Sequence, residues 1–276
     1  MSESTQKPKL NTRLLRKNKI ALGSKALQML TCYDYQTATM LNETDVDLLL
    51  VGDSLGNVML GYETTVEVTL DEMEIFSKAV RRGAPNKFIV TDMPFGTYSL
   101  HEDGVRNGLK LFQNTKTDSL KLEGATSEVL SIIKALTSSG VPVMGHIGLT
   151  PQSVHELGGY YTHGKTDAAK SLIMEQALKL EKSGCFSIVL ECVDKGLSKQ
   201  ITNALTIPTI GIGAGLETDG QVLVINDLLK MGKNQPPKFC TPVANLFDYK
   251  KSLIQSYLTQ TNQKIISANE SVSLHN

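Results

Sequence analysis

The chain is 276 residues long, a length that suits two average domains or one large α/β domain, and about 250 residues is the usual size of an eight-stranded barrel. Lys plus Arg equals Asp plus Glu, 28 of each, so there is no overall field to hold nucleic acid or an anionic membrane, and small molecules are the expected partners. Hydrophobic residues make up 41% and charged residues 20%, enough to bury a core, and no run approaches the roughly 18 apolar residues of a membrane span.

Residues 1–25 are basic and nearly free of acids. That composition fits a mitochondrial presequence or a frayed basic arm, and the arm is the reading adopted. Short aliphatic runs then alternate with longer amphipathic stretches, the pattern of repeated βα units. Eight runs stand at 26–32, 47–53, 87–92, 118–124, 141–148, 186–193, 207–213 and 221–227. Eight strands favour a closed (β/α)8 barrel over an open doubly wound sheet, which more often has fewer. Between the fifth and sixth runs, Ala168, Ala169, Leu172, Ile173, Ala177 and Leu180 predict one apolar stripe on a helix over 167–183. A last helix is expected over 245–259, followed by a disordered tail over 261–276, so residues 26–260 read as a single barrel domain.

Cys32, Cys185, Cys192 and Cys240 form no CxxC pair and no zinc-ligand spacing, so they read as reduced thiols. With no secretory signal pattern, the expected location is cytoplasmic, with a mitochondrial one open for a eukaryotic source.

Five of the runs end in a residue able to bind metal or move a proton: Asp53, Asp92, Glu123, His146 and Glu191. In a barrel these ends converge on the C-terminal rim, where barrel enzymes build their sites. Lys121 and Glu123 are two apart in a strand and share a face. Asp53, Asp92 and Glu123 offer only oxygen donors, which suits a hard cation such as Mg²⁺ better than zinc. His155-Glu156 starts like a HExxH zinc site, but Gly159 stands where the second histidine belongs. Gly159 to Thr166 matches the pattern GxxxxGKT, yet PQSVHELG separates it from the nearest strand, whereas a P-loop must leave a strand directly. Gly211-Ile212-Gly213-Ala214-Gly215 is not GxGxxG and follows the seventh run rather than the first, so a tight turn or an anion-accepting loop is expected there.

The strings LTCYDYQTA, LLLVGDSLGNVMLGY, AVRRGAPN, VTDMPFGTY, KLEG, GHIGLTPQSVHELGGY, LECV and IPTIGIGAG, in that order from about Leu30 to Phe239, closely resemble the ketopantoate hydroxymethyltransferase family. The resemblance implies a (β/α)8 barrel of the phosphoenolpyruvate mutase/isocitrate lyase superfamily and a homo-oligomer, typically a decamer. It implies transfer of a hydroxymethyl group from 5,10-methylenetetrahydrofolate to 3-methyl-2-oxobutanoate, giving 2-dehydropantoate on the way to pantothenate and coenzyme A.

Carried over by motif, Asp53, Asp92 and Glu123 would form the Mg²⁺ site, some contacts passing through water. Ser54 and Lys121 would hold the keto acid, His146 would line the pocket beside it, and Glu191 would transfer the proton. Ala125 departs from the family's second glycine after KxEG, which touches only the turn. A lyase or phosphonomutase of the same superfamily would keep the carboxylates but need no folate, and a non-catalytic metabolite sensor would be expected to lose one of them.

Overall fold

The computed structural model describes residues 9–20, 25–159 and 161–273. Eight parallel strands close into a barrel in sequence order: β1 Leu27–Thr31, β2 Leu48–Val51, β3 Phe88–Asp92, β4 Ser119–Glu123, β5 Val143–Gly148, β6 Ser187–Glu191, β7 Thr209–Ile212 and β8 Gly220–Leu223, with β8 pairing back onto β1. Each falls in or at the edge of one of the eight aliphatic runs. β2, β3 and β4 are buried along their whole length, as a parallel sheet wrapped by helices requires.

The barrel unit also contains α1 (Thr12–Ile20), α2 (Tyr35–Asn42), α3 (Leu70–Gly83), α4 (His101–Thr115), α5 (Ser127–Ser138), α6 (Val154–Leu157), α7 (Asp167–Lys182) and α8 (Lys195–Ala204). Their starts follow local chemistry. Asp34, Thr126, Thr166 and Asp194 each accept a backbone N–H in the first turn of the following helix, and Thr69 with Glu72 forms a reciprocal capping box on α3. On α7 the buried stripe is narrower than the sequence suggests. Ile173, Ala177 and Leu180 are buried, but Leu172 is 56% exposed.

Two expectations are corrected. The basic arm is not frayed where it is described: α1 lies within it, and Leu15 is buried in one cluster with Leu27, Leu48, Phe88 and Phe186 at the N-terminal ends of the strands. Phe88 and Phe186 meet edge to face at 5.6 Å. The arm's cations are also anchored: Lys19 pairs with Asp219 at 2.9 Å and Lys9 with Asp118 at 2.7 Å. Residues 1–8 and 21–24, and with them the presequence alternative, lie outside the described residues.

The single domain ending at 260 is the second correction, because the chain divides into a compact barrel unit through Val224 and a second unit from Ile225. In that second unit α9 (Ile225–Leu228) is followed by a segment whose Val243, Leu246 and Phe247 amides donate to Leu228, Leu229 and Lys230 carbonyls. α10 then runs from Leu246 to Ser273, so residues 261–273, expected in a disordered tail, are helical. No Gly or Pro interrupts that stretch, and polarity without a breaker does not stop a helix already nucleated. Among the described residues no helix is long and apolar enough to cross a membrane.

Candidate active site

Alternation along the strands delivers the polar residues to one end. On β3 Asp92 follows Phe88 and Val90 at two-residue steps, on β4 Lys121 and Glu123 share the inward face, and on β5 His146 follows Met144. The register sets Asp92 beside Lys121, Glu123 beside His146, and Gly148 beside Glu191. Asp53 sits two residues beyond β2, and its backbone amide donates to Asp92 Oδ2 at 3.1 Å.

The result is a pocket of about 90 Å³ that gathers Asp53, Ser54, Asp92, Lys121, Glu123, His146 and Glu191, all seven of the residues singled out in the sequence. Lys121 Nζ is 3.0 Å from Asp92 Oδ1 and 3.7 Å from Glu123 Oε1. His146 Nδ1 is 3.2 Å from Glu123 Oε1 and Nε2 is 3.3 Å from Glu191 Oε2, so the imidazole spans two carboxylates. Glu191 has no basic neighbour in sequence, but the fold supplies one. The opposite wall is apolar, with Leu50, Val189, Ile212, Val222 and Val224.

Burial opposes the Lys121 ammonium, but Asp92, Glu123 and Asp53 outweigh it and raise its pKa, so the lysine is a fixed cation rather than a neutral amine. Burial and Lys121 likewise oppose the His146 imidazolium. Glu123 and Glu191 prevail and lift it to about 9, although Lys121 Nζ also lies 3.2 Å from Nδ1. Burial also raises Asp53 and Asp92, Asp53 further through repulsion from Glu123 and Asp92, while Lys121 works against the rise in Asp92. Glu123 goes the other way: burial alone would raise it, but His146 and Lys121 bring it down.

Carboxylates thus outnumber cations in a buried pocket, and Asp92 Oδ1 and Glu123 Oε1 lack a well-directed hydrogen bond. Oxygen-only donors with spare negative charge fit a hard divalent cation. Among the described residues no three His, Cys, Asp or Glu side chains converge tightly enough to chelate an ion without help.

Three supporting residues escaped the sequence reading. After β5, Pro151–Ser153 forms a 3-10 turn that folds Gln152 back over the rim. Its side-chain N–H donates to Asp53 Oδ2 at 2.7 Å and to Met93 O at 3.0 Å, its backbone N–H donates to Glu123 Oε2 at 3.1 Å, and the Tyr98 hydroxyl donates to its Oε1. Tyr33 Oη lies 2.8 Å from Ser54 Oγ and orients that hydroxyl. All three are uncharged and come from other segments. Each lies within one of the family-like strings, Tyr33 in LTCYDYQTA, Tyr98 at the end of VTDMPFGTY and Gln152 in GHIGLTPQSVHELGGY, but no charge marked them out.

The rim also carries a strained position. Cys192, directly after Glu191, has φ 49°, uncommon for a residue with a side chain; its amide donates to Ile212 O and its carbonyl accepts from His163 N–H. That last bond settles the GxxxxGKT pattern. The His163 amide is committed to a neighbouring strand end and Thr166 caps α7, so these amides do not form a phosphate cradle. The glycine-rich segment 211–215 is likewise a closed turn, its Gly215 carbonyl held by the Gln221 amide at 3.0 Å. His155 lies on the exposed surface of α6.

A family model described as ketopantoate hydroxymethyltransferase matches residues 9–266. The chain belongs to the ketopantoate hydroxymethyltransferase family. Curated relatives named 3-methyl-2-oxobutanoate hydroxymethyltransferase include one from Syntrophus aciditrophicus (strain SB), 46% identical over 94% of this chain and 95% of its own length. Another, from Heliobacterium modesticaldum (strain ATCC 51547 / Ice1), is 51% identical over 78% of each chain. Solved structures with the same fold include 2,3-dimethylmalate lyase, a PEP mutase/isocitrate lyase superfamily member, at TM-score 0.57 and 10% identity over 93% of this chain and 96% of that one. A phosphonopyruvate hydrolase complexed with oxalate and Mg²⁺ aligns at TM-score 0.60 and 7% identity over 92% and 88%. At such identities the likeness is one of fold alone.

Proposed function

We propose that the rim pocket transfers a hydroxymethyl group from 5,10-methylenetetrahydrofolate to 3-methyl-2-oxobutanoate, giving 2-dehydropantoate for pantothenate synthesis. The observation that carries the reading is the buried chain Asp92, Lys121, Glu123, His146, Glu191 facing an apolar wall, in a member of this family. A 2-keto acid with a branched tail needs both halves of that pocket: charge for its carboxylate and ketone, aliphatic surface for its methyl groups.

Asp53, Asp92 and Glu123 would hold Mg²⁺, with water completing its shell. Bound there, the ion would withdraw electron density from a chelated keto acid and make its C3 hydrogen acidic. Lys121, a permanent cation 3.0 Å from Asp92, balances the negative charge that develops on the ketone oxygen as that proton leaves. Ser54, oriented by Tyr33, donates to the substrate carboxylate. Glu191 takes the proton from C3; its side chain is 16% exposed, so it can pass the proton onward to solvent. His146 Nε2, 3.3 Å from Glu191 Oε2, holds Glu191 in place. The carbanion carbon then bonds to the folate-borne methylene as one of its two C–N bonds breaks and that nitrogen takes a proton, equivalent to the one removed from C3; water replaces the second C–N bond, its hydroxyl going to the methylene and its proton to the departing nitrogen. Homo-oligomerisation, a decamer by resemblance, and a cytoplasmic location belong to the same proposal.

The test is turnover of purified protein with both substrates, with Mg²⁺ and with chelator. Production of 2-dehydropantoate that depends on both folate and Mg²⁺ is expected; turnover of the keto acid with no folate requirement would move the chain to a lyase-type reaction.

A further inference from the structure

Asp53 and Glu123, two of the three carboxylates proposed for the cation, are held by one hub built from Gln152 and Tyr98. Three segments meet there: Tyr98 from the connection between β3 and α4, Glu123 from the end of β4, and Gln152 from the turn after β5. The backbone that carries Tyr98 is itself fixed. The Thr97 amide donates to Pro94 O, and Asn107 of α4 donates a side-chain N–H to Thr97 O at 2.7 Å. Tyr98 is 8% exposed and Gln152 5%, so neither can replace its partners with bulk water.

The hydrogen bonds of the hub run in one direction. The Glu123 backbone N–H can only donate, and it does so to Tyr98 Oη at 3.4 Å. The phenol oxygen accepts that bond and gives its own proton to Gln152 Oε1. With its carbonyl so occupied, the Gln152 amide turns its N–H groups the other way, to Asp53 Oδ2 at 2.7 Å and Met93 O at 3.0 Å. A flipped amide would set its oxygen against a carboxylate and a carbonyl, acceptor facing acceptor.

The same pair forms a partition. A second cavity of about 290 Å³ lies beyond it, lined by Tyr98, Gln152, Glu123 and Glu128, so Glu123 borders both this cavity and the rim pocket. Glu123 Oε2 is kept by the Gln152 backbone N–H at 3.1 Å, while Oε1 faces Lys121 and His146. Without the tyrosine hydroxyl, Gln152 Oε1 would be a buried acceptor with no donor, beside a cavity large enough for several waters. The amide would then turn toward that water and release Asp53 Oδ2.

We propose that Tyr98 is a positioning residue for the cation site: its hydroxyl, acting through the Gln152 amide, fixes the Asp53 carboxylate for a hard divalent cation. The assignment rests on Asp53, Asp92 and Glu123 being the ligands, as in the hydroxymethyltransferase reading.

Mn²⁺, titrated into the protein without either substrate and followed by electron paramagnetic resonance, reports on the site independently of turnover. Tyr98→Phe deletes one oxygen and keeps the ring, and thermal melts confirm folding. Its Mn²⁺ Kd should rise about tenfold, the lower end of the loss typical when a group that orients a metal ligand is removed. Gln152→Ala should raise Kd at least as far. The double variant should bind no worse than Gln152→Ala alone, because the hydroxyl has nothing left to act through. A hydroxyl that only braces its loop would lower the melting temperature and leave the Mn²⁺ Kd unchanged, and losses that multiply in the double variant would mean that Tyr98 acts by another path. Either result overturns the proposal while the cation site stands. Wild-type protein that binds no Mn²⁺ would overturn the cation site and its positioning residue together.

Discussion

Phe88, Val90 and Asp92 lie two residues apart on one strand, yet Phe88 ends in a ring packed on Phe186 and Leu15, while Asp92 ends in a carboxylate shared by a lysine and a backbone amide. The same change of character along the barrel axis recurs on β5, from Met144 to His146, and on β6, from Val189 to Glu191. At the N-terminal end the apolar inward residues, such as Leu27, Leu48 and Phe88, lower the free energy of folding by leaving water, at about 25 cal/mol per Å² of apolar surface. At the C-terminal end burial works against each charge, and the carboxylates of Asp53 and Asp92 are pushed upward as a consequence. The plugged end stabilises, and the open end spends part of that stability on holding charges ready.

Disabling the charged end should cost turnover rather than stability. Glu191→Gln keeps shape but cannot accept a proton, and turnover should fall about 10²–10⁴-fold, the usual cost of losing a general base. Deuterium exchange at C3 of the keto acid isolates the step. Wild-type exchange with collapsed turnover would move Glu191 to a later step.

Between the two ends in kind is Gly148, where the rim depends on close backbone approach. Its φ is +95°, and a Cβ would stand 2.3 Å from Glu191 O and 2.5 Å from Val193 Cγ2. Gly148→Ala should therefore destabilise by several kcal/mol, combining left-handed strain of about 1–2 kcal/mol with overpacking of about 1–3 kcal/mol. Gly140→Ala is the control. With φ +89° and nothing within 4 Å of its Cβ, it should show the strain of about 1–2 kcal/mol alone. Equal costs in urea titrations would mean that the β5 and β6 ends can move apart to admit the methyl group.

Leu15→Ala probes the plugged end. Removing a fully buried leucine should cost about 2–5 kcal/mol in chemical denaturation, with kcat at saturating substrate unchanged below the new melting point. A matching loss of kcat would show that the two ends are coupled.

How much of this could be read from the sequence follows the same division. Asp92, Glu123, His146 and Glu191 were legible because each terminates an aliphatic run, where a charged side chain has no packing role and a parallel barrel leaves it one place to go. α1 was not. It places one fully buried leucine in the core from a basic segment, a signal too thin to separate from a frayed arm. The extent of α10 was missed for a related reason: its apolar residues Leu253, Ile254, Tyr257 and Ile265 are all more than half exposed, so no buried stripe marks how far it runs. Glu191's partner was invisible because His146 is 45 residues away in sequence and reaches it only through the β5–β6 register.

Gln152 is the sharpest test of the idea that the open end is organised for binding more than for folding. It is buried at 5% exposure; its side chain reaches Asp53, Met93 and Tyr98 and its backbone N–H reaches Glu123, all four far away in sequence. The amide N–H on Asp53 Oδ2 fixes which carboxylate oxygen remains turned into the pocket, and the backbone N–H on Glu123 Oε2 does the same for the second proposed Mg²⁺ ligand. Gln152→Ala keeps the backbone bond and removes the side-chain bonds, so Asp53 should lose its orientation while Glu123 keeps its own. Loss of a group that orients a ligand typically weakens metal affinity or activity about 10–100-fold, so the Mg²⁺ concentration for half-maximal turnover should rise by that factor. Gln152→Glu would refine the reading, because it restores bulk but sets a carboxylate against Asp53 Oδ2. That repulsion should make the Glu variant the poorer of the two at limiting Mg²⁺, whereas a residue that merely fills space would make it the better one. Should both variants show a wild-type Mg²⁺ dependence, Gln152 braces the rim without orienting Asp53, and Asp53 is held by its own turn.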